Sequence, residues 1–165
     1  VIDALISEYG AKKVGIKLSP VGRYQDMYDE NPLETFSYLL KELDKRGIAY
    51  VQLAEADAPG SPFDGNGFES PSKQMPEVTK QLRPYFNGSV IINNGLTPET
   101  AEKALNSGVA DLVSFARQYI SNPDLADRIK NGWELNKNLD FNTFYRGGEK
   151  GYTDYPFYSN LKSST

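Results

Sequence analysis

The sequence predicts an α/β fold made of repeated strand–helix units. Four short apolar runs alternate with helical patterns along the 165 residues, as they do in parallel βαβ units. The hydrophobic content of 39% is that of a globular domain, and the chain is long enough to bury one core. We therefore expect four parallel strands with helices packed on them.

The predicted strands are short apolar runs bounded by residues that break strands. Pro20 stops the first run, since proline has no N–H to donate to a strand ladder. The short apolar character of all four runs is typical of parallel strands. The strands are predicted over residues 14–19, 48–54, 89–93 and 111–116.

The predicted helices are marked by caps and by glycines. Asn31 precedes Pro32, and Glu34 follows at the third helical position, which is the arrangement of a capping box. Thr97 precedes Pro98 in the same way. The first helix has no N-cap, which suggests that the chain begins part-way through a larger domain. Helices are predicted up to residue 9 with a cap at Gly10, over 32–46 before Gly47, over 73–86, from 98 to Gly108, and from 122–124 to about Gly132.

The placement of polar residues favours half of a (β/α)8 barrel over an open doubly wound sheet. Lys17 and Ser19 in the first strand share one parity, and Tyr50 and Gln52 share one parity in the second. That face would line a barrel interior near its catalytic rim. A complete barrel needs about 250 residues, so four strands make about half of one. We expect the half-barrel over residues 1–132 and an aromatic-rich extension packing on it over 133–165.

Charge and composition exclude several classes of function. There are 18 basic and 22 acidic residues, for a net charge of −4, and no basic cluster follows a predicted helix face, so we expect no nucleic-acid partner. Cysteine and histidine are both absent, which removes disulfides, thiolate catalysis and the commonest metal ligands. We expect no metal site. No apolar run approaches the roughly 20 residues of a membrane span, and we expect a cytoplasmic protein.

Two predicted loops at the carboxyl ends of neighbouring strands form a candidate phosphate site. Asn93, Asn94 and Gly95 leave the third strand, and Ala116 and Arg117 leave the fourth. A guanidinium at the end of a buried strand needs partners for its donors, and a phosphate held by backbone N–H groups supplies them. Taken alone, the glycine would indicate only a turn of the chain, and the arginine would indicate a pair with a surface carboxylate. Together, flanking one helix, they favour an anion site.

Three further charged residues are candidates with open interpretations. Lys17 lies within an apolar strand, where desolvating an ammonium is costly unless it is paired. It holds an anionic group of a cofactor or pairs with a buried carboxylate such as Glu55. Glu55 and Asp57 follow the second strand as possible acid or base groups. Because they head a long loop rich in Gly, Pro, Ser and Asp, we expect them to be solvated or to act as caps.

Five motifs in series then carry a resemblance to a known family. They are Val-Gly-Ile-Lys-Leu-Ser-Pro at 14–20, Thr-Ala-Glu-Lys-Ala-Leu-Asn-Ser-Gly at 100–108, Asp-Leu-Val-Ser-Phe-Ala-Arg at 111–117, Ile-Ser-Asn-Pro-Asp-Leu at 120–125 and Gly-Tyr-Thr-Asp-Tyr-Pro at 151–156. Nearly the whole chain resembles the C-terminal half of the old yellow enzymes, which are FMN-dependent ene-reductases on a (β/α)8 barrel. The resemblance implies that this chain covers the last four β/α units.

The resemblance also implies where the flavin binds. In the family, backbone amides after the seventh and eighth strands hold the FMN phosphate together with an arginine, and these positions are Asn94, Gly95, Ala116 and Arg117 here. A basic residue on the fifth strand touches the pyrimidine edge and the phosphate side, and Lys17 occupies that place. This sequence departs from the family at three of these positions. Lysine replaces the usual arginine, and Asn94 and Ala116 replace the usual glycines.

The resemblance implies less about substrate binding and catalysis than about the flavin site. The Phe-Tyr pair that borders the family's substrate pocket corresponds to Phe144 and Tyr145. The family's substrate-binding histidine pair and its proton-donating tyrosine belong to the N-terminal half, so we expect no catalytic residue in this chain. The implied reaction takes hydride from NAD(P)H through FMN to the C=C bond of an α,β-unsaturated carbonyl compound. We expect half a flavin site, without turnover by this chain alone.

The partners that the resemblance implies are an enone and the missing N-terminal half of the barrel or a complementary chain. A non-catalytic half-barrel that assembles with a complementary half is the alternative, since assembly would bury strand edges that otherwise template aggregation. Another phosphate-binding barrel with a ligand other than flavin is a third, weaker possibility.

Overall fold

Four parallel strands form one sheet in the computed structural model, which describes residues 1–22, 28–54, 78–93, 95–140, 142–143 and 148–159. The prediction of parallel strands is confirmed, and each strand lies within its predicted range. The sheet order follows the chain, as expected for successive βαβ units and for part of a (β/α)8 barrel. The strands are β1 Gly15–Leu18, β2 Tyr50–Ala54, β3 Ser89–Asn93 and β4 Leu112–Ser114.

The helices of the described residues follow the predicted pattern with two differences. The predicted helix over 73–86 is described from residue 78, and it ends in a 3₁₀ turn at Arg83–Tyr85 because Pro84 has no N–H for an α-helical bond. A short helix that the sequence did not predict begins at Arg117. The α-helices are α1 Ile2–Tyr9, α2 Pro32–Arg46, α3 Val78–Leu82, α4 Pro98–Asn106, α5 Arg117–Ser121 and α6 Leu125–Asn131.

The core lies on one face of the sheet. Alternate strand residues on β2 and β3 are almost fully buried, and their exposed fractions do not exceed 5%. Leucines of α2 and of α3 belong to the same buried cluster. The helices therefore cover the side of the sheet that the apolar parity of the strands predicted. The strand residues of this face are Val51, Leu53, Val90 and Ile92, and the helix residues are Leu40, Leu43, Val78 and Leu82.

The chain divides into two compact units, Val1–Ser114 and Phe115–Thr165. The first contains the sheet with α1 to α4, and the second contains α5, α6 and the C-terminal segment. The expected domain division after residue 132 stays a prediction. No helix within the described ranges is long and apolar enough to cross a membrane.

Two helix N-termini that look alike in the sequence differ in the structure. Thr97 caps α4, where its Oγ1 accepts the Thr100 N–H at 3.2 Å and Thr100 Oγ1 accepts the Thr97 N–H at 2.8 Å. The capping box predicted for Asn31 and Glu34 at the start of α2 is wrong. The Asn31 N–H donates to Asp29 Oδ1 at 2.7 Å, and the Asn31 side chain makes no cap hydrogen bond. The Asp29 carboxylate therefore takes the role expected of Glu34.

We predict that Thr97→Ala lowers the free energy of unfolding by about 1 kcal/mol, because the substitution removes the acceptor of an orphan helix N–H. Asn31→Ala is the matched variant at the other N-cap and should cost less than about 0.5 kcal/mol. Urea denaturation of both variants beside the unsubstituted protein measures the two changes. Equal losses at the two positions would contradict the difference between the caps.

A buried arginine organises the second unit. Arg128 on α6 is 1% exposed, and its Nε donates to Asp124 Oδ1 at 2.6 Å. Its terminal nitrogens donate to the carbonyl oxygens of Glu134 at 3.3 Å and Pro156 at 2.9 Å. The other Asp124 oxygen accepts the Tyr158 N–H at 2.7 Å. One ion pair thus fixes chain segments that follow Arg128 by 6 and by 28 residues.

Amide side chains fix the start of the same C-terminal segment. The buried Asn122 pairs with the backbone of Asn136, since its Oδ1 accepts the Asn136 N–H at 2.7 Å and its Nδ2 donates to the Asn136 carbonyl at 3.1 Å. Ser121 Oγ donates to the same carbonyl at 2.9 Å. This pairing satisfies backbone groups that lie outside any helix or strand.

Aromatic stacking and a second pair of contacts extend this framework. The rings of Trp133 and Tyr158 stack with centroids 4.6 Å apart. Farther along, Thr143 Oγ1 donates to the Gly151 carbonyl at 2.9 Å. The stacking of Trp133 on Tyr158 therefore holds two parts of the C-terminal segment together.

The Asp124 carboxyl group has a lowered pKa. Burial acts to raise this pKa, but the N–H of Tyr158 and the guanidinium of Arg128 stabilise the charged form and outweigh burial. A carboxyl group with a depressed pKa in the folded state stabilises the fold above its unfolded pKa of about 3.9. That contribution is lost as the pH falls through the folded value.

We predict that Asp124→Asn lowers the free energy of unfolding by about 3 kcal/mol at pH 7, because it leaves the buried Arg128 without its carboxylate. The difference from the unsubstituted protein should shrink as the pH is lowered from 5 towards 2. Urea denaturation at several pH values measures this, with Trp133 fluorescence as a probe beside the ion pair. Asp127→Asn, at an exposed carboxylate on the same helix, is the control. A loss that does not depend on pH would contradict the assignment.

Candidate functional site

The face of the sheet opposite the core carries polar side chains. The strand register places Lys17 beside Gln52 on β1 and β2, and Asn93 beside Ser114 on β3 and β4. These four residues have the parity opposite to the buried core residues, so their side chains lie on the other face. We call this the open face, because the helix residues that share the core with the strands lie on the other face. The predicted parity of Lys17 and Gln52 is confirmed.

Lys17 is exposed, which corrects the expectation that its ammonium is desolvated. The expectation assumed an apolar strand covered on both faces. The helices that share the core with the strands cover one face, and Lys17 lies on the other. Glu55, the carboxylate suggested as its structural partner, lies outside the described residues, as does Asp57. A solvated lysine beside a row of polar groups is free to bind an anionic or electron-rich ligand.

Three of the polar side chains on the open face form a hydrogen-bonded network. Gln52 Nε2 donates to Ser114 Oγ at 3.0 Å, and Asn93 Nδ2 donates to the same oxygen at 2.8 Å. Asn93 Nδ2 also lies 3.1 Å from the Ser114 carbonyl oxygen. Gln52 thereby reaches from β2 across β3 to β4. The network fixes the side chains of all three residues: Asn93 and Ser114 end their strands, and Gln52 lies in the middle of β2.

The amino-terminal end of the open face is filled by an aromatic ring. Tyr50 is in register with Gly15. A Cβ atom at Gly15 would overlap the ring of Tyr50, so the glycine gives the ring its place on the sheet. The polar groups and the ring occupy opposite ends of the open face. The hydrogen-bonded network lies towards the carboxyl-terminal end, where ligands bind in parallel α/β folds.

The turn after β3 has the backbone conformation that requires glycine. Gly95 has φ of +65°, in the left-handed region. It is exposed and lies two residues before the Thr97 cap of α4. The sequence predicts that Gly95 turns the chain and leaves its backbone accessible. This conformation agrees with that role. Asn94, predicted to share the site, lies outside the described residues.

Arg117 does not end a strand, as the sequence suggested, but begins α5. The last pair in the β3–β4 register joins Asn93 to Ser114. Within the described residues neither β3 nor β4 extends beyond this pair. Ala116 becomes the N-cap of α5 instead, and its carbonyl accepts the N–H groups of Tyr119 and Ile120. Arg117 is partly buried.

The remaining predicted site residues, Phe144 and Tyr145, lie outside the described residues. The described ranges contain no cluster of acidic residues that could hold a metal ion, and the sequence has no histidine or cysteine. Sequence reasoning did not identify the network of Gln52, Asn93 and Ser114. Its signal was the presence of polar residues of one parity near the ends of three strands.

Comparisons with known proteins agree on one family. The profile of the NADH:flavin oxidoreductase / NADH oxidase family matches residues 1–136. The chain is 36% identical over 163 residues to a putative 12-oxophytodienoate reductase 2 of Oryza sativa subsp. japonica, covering 98% of this chain and 41% of that protein. It is 36% identical over 157 residues to a probable flavin mononucleotide-dependent alkene reductase of Leishmania infantum, covering 95% of this chain and 39% of that protein.

A solved structure leads to the same assignment. Morphinone reductase in complex with tetrahydroNAD is similar with a TM-score of 0.78 and 35% sequence identity, covering 94% of this chain and 39% of that one. The chain thus spans about two fifths of the length of the relatives it matches. The strand order, the parity of the two sheet faces and the family match over residues 1–136 agree. The chain belongs to the NADH:flavin oxidoreductase / NADH oxidase family, that of the old yellow enzymes, and forms part of its (β/α)8 barrel.

Proposed function

We propose that this chain is the flavin-holding part of an FMN-dependent oxidoreductase that takes hydride from NAD(P)H and reduces the C=C bond of α,β-unsaturated carbonyl compounds. The observation that carries the proposal is the exposed Lys17 beside a polar network at the carboxyl-terminal ends of parallel strands. A relative named as a flavin mononucleotide-dependent alkene reductase supports the reaction type. The tetrahydroNAD complex of morphinone reductase supports a nicotinamide as the hydride source.

The groups on the open face fit FMN chemically. The flavin carries ring carbonyls and a phosphate, which accept hydrogen bonds, and N–H and hydroxyl groups, which donate them. Lys17 supplies three donors and a positive charge. The network of amides and a hydroxyl supplies neutral polar groups beside it. The face thus offers both kinds of partner that the cofactor needs.

In our proposal the phosphate is held by backbone N–H groups at Asn94, Gly95 and Ala116 and by the Arg117 guanidinium. The left-handed conformation of Gly95, which a residue with a Cβ adopts only with strain, supports close approach of a ligand to that turn. Backbone amides and a guanidinium together make a strong phosphate site. Because the amides contribute through the main chain, the replacement of the usual glycines at Asn94 and Ala116 is compatible with this role.

The bound flavin would supply hydride transfer between the nicotinamide and the enone. The part of Lys17 in this chemistry is electrostatic. A cation at the pyrimidine edge stabilises the negative charge that the ring system gains on reduction. Phe144 and Tyr145 would border the pocket for the enone. No residue of this chain is proposed to donate the proton.

The proposal assigns the remaining catalytic groups to a part of the protein outside this chain. The substrate-binding pair of the family contains histidine, and this sequence has none. We therefore propose that this chain alone does not turn over and that it works with the N-terminal half of the barrel or with a complementary chain. We place the complete enzyme in the cytoplasm.

A non-catalytic half-barrel is the second candidate, and one observation favours it. β1 and β4 lie at the two ends of the described sheet, each with one neighbouring strand. On β4, Leu112 is 54% exposed on the open face. Strand edges and exposed apolar groups of this kind are suited to binding another protein segment. In this candidate the chain associates with a complementary half and holds no flavin.

Purification of the natural full-length protein distinguishes the two candidates. An oxidoreductase should be yellow, and it should oxidise NADPH or NADH faster when an enone such as 2-cyclohexenone is added. A colourless protein that forms a complex and does not oxidise either nucleotide would refute the proposed activity.

We predict that Arg117→Ala and Lys17→Ala each weaken FMN binding by about tenfold or more, because each removes a charge-assisted hydrogen bond. Lys17→Arg keeps the charge and should retain the flavin. Lys13→Ala is the matched control, since Lys13 is an exposed lysine at the amino-terminal side of the same strand. Flavin absorbance after dialysis of the full-length variants measures retention. Full retention in both alanine variants would contradict the assigned roles.

A further inference from the structure

The hydroxyl at the centre of the open-face network has an unused hydrogen. Ser114 Oγ accepts one hydrogen bond from Gln52 and one from Asn93. A hydroxyl oxygen has two lone pairs, so both are occupied by these donors. Its hydrogen makes no bond to any group in the described parts of the chain. The network therefore offers one hydrogen-bond donor whose position is fixed from two sides.

The same geometry leaves two acceptors. The NH₂ groups of Gln52 and Asn93 point at Ser114, so the amide oxygens, Gln52 Oε1 and Asn93 Oδ1, are directed elsewhere. Neither oxygen accepts a hydrogen bond from another described residue. Both side chains are half-buried, and neither oxygen is one of the fully buried side-chain atoms that lack a partner. Each oxygen thus has the capacity to accept a hydrogen bond from a ligand.

These groups adjoin Lys17, one of the two cations assigned to the flavin. Lys17 is paired in register with Gln52 on the same face of neighbouring strands. The ammonium and the backbone amides of the proposed phosphate site are all donors. FMN also carries donors of its own, at a ring N–H and at the ribityl hydroxyls. Apart from the network itself, none of the groups assigned so far accepts a hydrogen bond from them.

We propose that Gln52, Asn93 and Ser114 form a polar platform that hydrogen-bonds FMN. The two amide oxygens accept from donor groups of the cofactor, and the Ser114 hydroxyl donates to one of its oxygens. This inference rests on the proposed function, which supplies the cofactor. It adds three binding residues to those implied by the family resemblance.

A role limited to joining strands does not account for the network as well. β3 and β4 are already paired through their backbones up to Asn93 and Ser114, so their side chains are not needed for pairing. Joining two strands also does not require two amide groups that donate to one hydroxyl. That convergence orients both carbonyl oxygens and the hydroxyl hydrogen at once, which is what a binding surface requires.

The test measures FMN affinity in apoprotein prepared from the natural full-length protein. Ser114→Ala removes the donor and frees both amides, and it should raise the dissociation constant for FMN by about fivefold or more. Ser114→Thr keeps the hydroxyl and should stay within about twofold. Ser89→Ala, at an exposed serine near the amino-terminal end of the same face, is the matched control and should have no effect. Quenching of flavin fluorescence during titration gives each constant.

A second variant separates binding from packing. Gln52→Leu keeps the size of the side chain and removes its amide, so it should also weaken FMN binding by about fivefold. The double variant with Ser114→Ala should raise the dissociation constant for FMN by less than the product of the two single effects, because both substitutions disrupt one network. A non-additive loss of this kind supports a shared platform.

The possible failures are distinguishable. If the variants lower the thermal stability of the apoprotein but leave FMN affinity within twofold, the network only joins strands and this inference falls. The proposed function then stands, because the unsubstituted protein binds FMN. If the unsubstituted apoprotein binds no FMN, the proposed function and this inference fall together.

Discussion

The two-residue period of the parallel strands decides what each face of the sheet carries. Val51 and Leu53 alternate with Tyr50 and Gln52 along β2, so one strand supplies both a buried apolar face and a polar face. A slip of one residue in register would move the apolar set away from the helices. The core therefore fixes the register, and the register in turn brings polar groups of β2, β3 and β4 together at one end. The candidate site depends on hydrophobic packing in which it takes no part.

The hydrogen bonds at that end turn a set of neighbouring residues into an ordered surface. Gln52, Asn93 and Ser114 would each have several rotamers if they did not contact one another. Their shared hydroxyl restricts all three, and the cost in side-chain entropy is met during folding and not during binding. Lys17 has no comparable restraint and is exposed. The face thus combines an exposed charge with hydrogen-bonded neutral groups, which suits a ligand that carries both a charged end and a polar ring.

The sequence predicted the strands, the caps at Thr97 and Gly47, and the parity of the polar residues, because these depend on local pattern. The predictions from the sequence were wrong at two positions. At Asn31 the neighbouring Asp29 takes the N–H that a capping box would use. At Arg117 the strand has already ended, since the last β3–β4 pair joins Asn93 to Ser114 and a helix begins at Arg117. The network at Ser114 joins residues 21 and 62 positions apart, a separation that no local pattern encodes.

Lys17 and Arg128 show why burial of a charge is difficult to infer from sequence. Lys17 lies in an apolar run and is exposed, whereas Arg128 lies four residues after Asp124, a spacing typical of exposed helical ion pairs, and is 1% exposed. Arg128 is tolerated inside because backbone carbonyls of distant segments accept its remaining donors. The hydrogen-bond donors of Arg128 are thereby used within the protein. Lys17 keeps its donors available, and for that reason the exposed lysine is the stronger candidate for holding a ligand.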